Sequence, residues 1–178
     1  MRKITRVDER CRNVATFRHV CVQLMETTAR WTPTTPEMEA KVMFGRHIWD
    51  FAQMADALGK RTFELRQPEH YTLRPVDAYD ALLKEAAAAE STAERIATIY
   101  DGVLPGFIER CRAYVAATDA ILDEPSITII ERMIREMERQ RKEAAELQSE
   151  LKLGKGNAAA IAARERTIGN IVAEGVQA

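Results

Sequence analysis

The chain has 178 residues, and its 26 Lys and Arg nearly balance 27 Asp and Glu, giving a formal net charge of −1. This balance leaves no excess of positive charge for nucleic-acid phosphates, so nucleic-acid binding is not expected. A hydrophobic fraction of 46% with only 8 Gly and 6 Pro predicts a globular helical protein. No apolar run approaches about 18 residues, no apolar leader follows the start, and the three cysteines are too few and odd in number for a disulfide framework. We therefore expect a cytoplasmic protein without a membrane span.

The first half of the chain predicts two long amphipathic helices, at about residues 8–30 and 37–65, because apolar residues recur at helical spacing. The proline-containing segment 32–36 separates them, since proline cannot continue a helix. The second helix is apolar over more than half of its circumference, a sector that includes Val42 and Trp49. Such a helix is predicted to be central and well buried, with Trp49 as a packing anchor.

The second half predicts a long helix at about 77–118, a fourth helix at about 125–153 and a short last helix at about 157–174. Gly102 and Pro105 interrupt the third helix, so a kink or short break is expected near them. Short links between helices one and two and between helices three and four predict two helical hairpins.

Packing two such hairpins gives an all-α fold, an antiparallel four-helix bundle with an extra C-terminal helix. We assign residues 1–153 to the bundle domain and residues 154–178 to a C-terminal helix or tail. The last helix carries a weak apolar stripe that includes Ile161, Ile168 and Ile171. It is predicted to dock on the bundle or to contribute to a dimer contact.

Polar residues on or beside the apolar stripes are the candidate site residues, because burying one without a partner costs about 1–3 kcal/mol. The five candidate metal ligands are Glu26, His47, Asp50, Glu90 and Glu131.

Glu90 is the clearest candidate, since it aligns with Ala86 and Ala93 on the predicted inner stripe of the third helix. An inward carboxylate needs a cationic side chain, a metal ion or a proton. Both a buried ion pair and a metal-ligand or acid–base role fit this position.

His47 and Asp50 lie three residues apart and therefore on one face of the second helix. They could share a metal, or Asp50 could orient the imidazole, while a hydrogen-bonded core histidine is the simpler alternative. Glu26 and Glu131 border the inner faces of the first and fourth helices, where either surface ion pairs or metal ligation would suit them.

The pattern resembles the ferritin-like superfamily, whose bundle holds two metal ions with inward carboxylates. Glu26 and Glu90 look like the single-glutamate positions of that family. Residues 39–50 and 123–136 are similar to its second and fourth helices, within a resemblance that covers roughly residues 8–153. The resemblance implies iron or manganese as cofactor. The chain departs from the family in having no Glu-x-x-His, which implies either a rebuilt or a lost metal site.

Three functions follow as hypotheses. The resemblance implies a metal-dependent oxidoreductase that activates oxygen or peroxide at the five candidate ligands. The second hypothesis is a metal-free interaction or scaffold protein, a homodimer or the binder of another protein, in which Glu90 would pair with an arginine or with His47. The third is a bundle that binds a small organic ligand, with His47 and Glu90 as general acid and base.

Overall fold

A computed structural model of the chain describes residues 6–66, 71–154 and 156–173. These residues form an all-helical structure, as predicted, apart from one isolated antiparallel bridge between Pro75 and Val172. No helix in the described ranges combines the length and apolar character needed to cross a membrane.

The first helical hairpin follows the predicted pattern closely. Helix α1 spans Val7–Trp31, a 3₁₀ turn spans Thr32–Thr34, and α2 spans Met38–Glu64. The two helices pack against each other along their length. Trp31 is buried as predicted, and its indole Nε1 donates a hydrogen bond to the carbonyl of Ala87 at 3.2 Å.

The predicted third helix is divided into several pieces, so its prediction as one helix is wrong. Helix α3 spans Asp77–Ala87, and α4 begins only at Thr92 and ends at Ile96. A π-helical segment, Ala97–Val103, continues directly from α4 into α5, Leu104–Ala117.

A local capping motif explains the break between α3 and α4. The backbone N–H of Glu94 donates to Ser91 Oγ at 3.3 Å, and the backbone N–H of Ser91 donates to the Glu94 carboxylate at 3.2 Å. This reciprocal capping box satisfies the free N–H groups at a helix start. It therefore starts a new helix at Thr92 and leaves residues 88–91 as a link.

The irregularity expected near Gly102 and Pro105 is the π-helical segment. The N–H of Leu104 reaches back to the carbonyl of Ile99, and Pro105 has no N–H to offer the carbonyl of Tyr100. The Nε atom of Arg141 instead donates to that Tyr100 carbonyl at 2.7 Å. This hydrogen bond links the π-helical segment to the last long helix through the Tyr100 carbonyl, which Pro105 leaves without a backbone donor.

Helix α6, Glu124–Glu150, packs against α2 and α5, and α7, Ala159–Thr167, packs against the π-helical segment. We call residues 156–173 the C-terminal arm. Its helix ends earlier than the predicted residue 174, which lies outside the described residues. Beyond α7 the arm runs alongside the start of α3, where the N–H of Val76 donates to the Ile171 carbonyl at 2.9 Å.

The core joins all the long helices. Phe17 of α1 meets Phe107 of α5 edge-on, with ring centroids 5.6 Å apart. The cysteines are buried, as their positions on apolar stripes predicted: Cys11, Cys21 and Cys111. Burial raises the pKa of the Cys21 thiol, so this residue serves as a small core side chain.

Candidate functional site

Three of the five candidate ligands lie at the surface, so the prediction that Glu90 faces the bundle interior is wrong. Glu26, Glu90 and Glu131 are all exposed. The side chain of Glu26 is 46% exposed and lies 4.0 Å from Arg30, the surface ion pair that was the alternative for this residue.

The exposure of Glu90 and the exposure of Glu131 each have a physical reason. Glu90 lies in the link before Ser91, so the alignment with Ala86 and Ala93 that required one continuous helix does not exist. On α6, Ile130 and Met133 are buried, and this choice of inner face turns the intervening Glu131 outward. Within the described residues, no group of three or more His, Cys, Asp or Glu side chains is placed to hold a metal ion.

His47 is the predicted site residue that the fold buries completely. Its Nδ1 lies 2.6 Å from the hydroxyl of Tyr100 on the π-helical segment, and its Nε2 lies 3.2 Å from Glu143 Oε2 on α6. A carboxylate can only accept, so His47 Nε2–H donates to Glu143. In the neutral imidazole Nδ1 then accepts from the Tyr100 hydroxyl, and both ring nitrogens are hydrogen-bonded.

Asp50 lies beside this histidine but is bound elsewhere. Its Oδ2 accepts from Arg139 Nη2 at 2.5 Å and from Gln140 Nε2 at 3.2 Å. Glu143 rather than Asp50 orients the imidazole, and the alternative that Glu90 pairs with His47 is wrong. Gln140 is fully buried, and its Oε1 has no hydrogen-bond partner among the described residues.

The electrostatic environment keeps His47 neutral. Burial is the largest effect and, with the positive charges of Arg139 and Arg46, lowers the pKa of His47 to about 4, although the negative charge of Asp50 opposes the change. The ordinary value is 6.5. An unfolded chain therefore binds a proton on this residue between pH 6.5 and 4 that the folded chain does not bind.

This difference predicts acid sensitivity from His47 alone. Because the unfolded state gains protons as the pH falls, the free energy of unfolding should drop by about 2 kcal/mol between pH 7 and pH 5 through this residue. Urea unfolding at both pH values should show that His47→Gln loses less stability on acidification than the unsubstituted protein. An equal loss in both proteins would contradict the assignment of a low pKa to His47.

The outer face of α2 differs from the prediction of a central, well-buried helix. Met38 is 65% exposed, Val42 is 52% exposed and Trp49 is 65% exposed, so the prediction of Trp49 as a packing anchor is wrong. Gly45 lies between them and is also exposed, with open space where a Cβ atom would stand. We call Met38, Val42, Gly45 and Trp49 the α2 stripe.

Two grooves lie between α2 and α6 at the two ends of this stripe. The N-terminal groove, of about 410 Å³, has an apolar floor that includes Met38, Val42 and Leu147, with Glu146 and Glu150 among its acidic lining. The C-terminal groove, of about 440 Å³, is lined by Trp49, Met54, Met133, Lys60 and Arg132 among others. Apolar surface and accessible concave space therefore occur together on this side of the molecule.

Comparison of the chain with protein-family models, with curated proteins and with solved structures finds no significant match. The resemblance to the ferritin-like superfamily therefore stays a prediction. Sequence reasoning missed Tyr100 and Glu143 as the partners of His47, because they lie 53 and 96 residues away along the chain.

Proposed function

We propose that this protein is a helical-bundle interaction protein that works without a di-metal centre and binds another protein through the α2 stripe and the N-terminal groove. The observation that carries the proposal is the exposure of Met38, Val42 and Trp49 along one side of α2. Large apolar side chains grouped beside a groove are typical of protein-binding surfaces.

The character of these side chains supports binding to a protein. Tryptophan is enriched among the residues that dominate binding energy, and methionine adapts its shape to a partner surface. Leaving a tryptophan 65% exposed forgoes the favourable free energy of burying its ring, which a bound partner would recover.

Within this proposal the bundle is of the antiparallel four-helix, ferritin-like type, and hydrogen bonds replace the metal site. The α1–α2 pair and the packing of α5 against α6 support the two-hairpin arrangement. Both ring nitrogens of His47, one of the candidate ligands, are hydrogen-bonded, one to Tyr100 and the other to Glu143, which supports a role for this residue without a metal ion. Iron and manganese have no part in the proposed function, and neither does oxidation chemistry.

Site-specific photo-cross-linking tests the proposal. We would introduce p-benzoylphenylalanine at position 49 of the full chain, irradiate cells that express it, and look for higher-mass adducts containing this chain. The matched control places the same group at Ile121, an apolar residue that is 87% exposed in the turn before α6.

We expect adducts at position 49 and few at position 121, because the α2 stripe is covered by protein and the control position is only exposed. Val42→Glu in the same chain should remove the position-49 adducts, since it places a charge in the proposed contact. Equal yields at both positions would mean that cross-linking follows exposure alone and would overturn the proposal.

A further inference from the structure

The two large apolar residues at the middle of the α2 stripe flank Gly45, whereas the position that corresponds to Met38 is the polar Gln53. Val42 and Trp49 lie at equal distances, about 5 Å along the axis, on either side of the peptide that joins Gly45 to Arg46. We propose that the partner is a second copy of this chain, packed antiparallel, α2 against α2, around a two-fold axis near Gly45. This inference rests on the proposed function and specifies the partner of the same surface.

Gly45 permits the close contact that such an axis requires. It is exposed, and nothing lies within 4 Å of the point where a Cβ atom would stand. The distance between packed helices depends on the side chains at their crossing point, so a glycine there lets the two backbones approach. A two-fold interface also uses the same patch on both copies, so one patch that contains both Val42 and Trp49 is sufficient.

The two-fold arrangement places Trp49 of one copy opposite Val42 of the other, and the reverse. Val42 lines the N-terminal groove together with Met38, and this groove of about 410 Å³ has room for an indole ring. Each Trp49 would therefore enter the N-terminal groove of the other copy, against the apolar residues Met38 and Val42. The contact forms twice, because the symmetry repeats it.

The charges on α6 agree with this register. His47 lies beside Glu143 and Asp50 beside Gln140, so α6 runs antiparallel to α2 along the interface side.

The same two-fold then opposes Arg139 of one copy to Glu150 of the other, and it brings Lys142 beside Glu146. The side chains of Arg139, Lys142 and Glu146 are 47%, 80% and 61% exposed. The same register also opposes Glu143, which pairs with Arg46 within its own copy, to Glu146 of the other copy. The two opposite-charge pairs outnumber this like-charge pair, which favours association of two copies.

Sedimentation equilibrium of the purified full chain tests the inference. We expect a monomer–dimer equilibrium in which Trp49→Glu weakens dimerisation by about 30-fold or more, the effect of losing a dominant contact. Gly45→Gln should also weaken the dimer while leaving the monomer folded, since its side chain projects into open space. Ile121→Glu is the matched control and should leave the dimer unchanged. Circular dichroism would verify that each variant keeps its helix content.

The outcomes separate this inference from the proposed function. A dimer that Trp49→Glu and Gly45→Gln do not weaken would place the contact elsewhere and overturn the inference. A strict monomer at 200 µM with position-49 adducts to a different protein would also overturn it, while the proposed function stands. A strict monomer without position-49 adducts would overturn both.

Discussion

Replacing Asp123 with alanine is expected to lower the free energy of unfolding by about 3–5 kcal/mol, the cost of leaving a buried charge without its partner. Asp123 is fully buried at the start of α6. Its carboxylate accepts hydrogen bonds of 2.6 Å from Tyr114, 2.8 Å from Thr118, 2.6 Å from Ser126 and 3.2 Å from Arg61. The substitution leaves the buried hydroxyls of Tyr114 and Thr118 without their acceptor, and it leaves the buried guanidinium of Arg61 with only the exposed Glu64 carboxylate as a counter-charge. Urea unfolding would measure the loss.

The matched control is Asp56→Ala, which removes an exposed ion pair with Lys60 within one helix and should change stability by no more than about 0.5 kcal/mol. Similar losses in Asp123→Ala and Asp56→Ala would contradict the prediction.

The same cluster adds a dependence on pH. Burial of Asp123 opposes its ionisation, but the hydrogen bonds it accepts outweigh burial and hold its pKa below the ordinary 3.8. Its contribution to stability is therefore complete above pH 3.8 and is lost as the pH falls through the lower, folded-state pKa. Asp123→Asn cannot ionise, so its stability should fall less than that of the unsubstituted protein in this acid range.

Replacing Arg110 with alanine is expected to release the C-terminal arm. Arg110 donates to the carboxylate of buried Glu165 at 2.6 Å and to the carbonyls of Glu165, Ile168 and Gly169 at 2.6–2.8 Å. Glu165 lies so close to Gly106 that a side chain there would overlap its carboxylate. Without Arg110 a buried carboxylate loses its cation, at a cost of about 3 kcal/mol. Amide hydrogens of α7 should then exchange about 100-fold faster.

Arg112→Ala is the control for this prediction because Arg112 lies two residues away on the same helix and pairs with exposed Glu109 and Glu138. We expect little change in exchange from it. The double substitution Arg110→Met with Glu165→Leu should restore most of the protection, since apolar side chains can replace a buried ion pair. If α7 exchanged no faster in Arg110→Ala than in Arg112→Ala, the result would contradict this account of how the arm is held.

The sequence predicted the bounds of the helices well where proline residues mark their ends. The prolines of segment 32–36 separate α1 from α2, and Pro125 lies in the first turn of α6, within one residue of the predicted start. The break at 88–91 was missed because the alanines before it favour helix throughout. Its signal was nevertheless present, since Ser91 and Glu94 have the spacing of a capping box.

The candidate site was predictable only in part. The burial of His47 follows from the apolar residues around it on α2, but its partners depend on how α6 and the π-helical segment pack. The exposure of Trp49, by contrast, could not be predicted from the residues around it on α2. A broad apolar sector does not reveal which of its edges the other helices cover, so a tryptophan at that edge can lie in solvent.

Photo-cross-linking at position 49, scored against position 121, tests the central claim most directly because it asks whether protein covers the outer face of α2 in the cell. The account predicts that adducts form at position 49, that their mass equals two copies of the chain, and that Val42→Glu removes them. Cross-linking at position 49 no greater than at position 121, and insensitive to Val42→Glu, would contradict it.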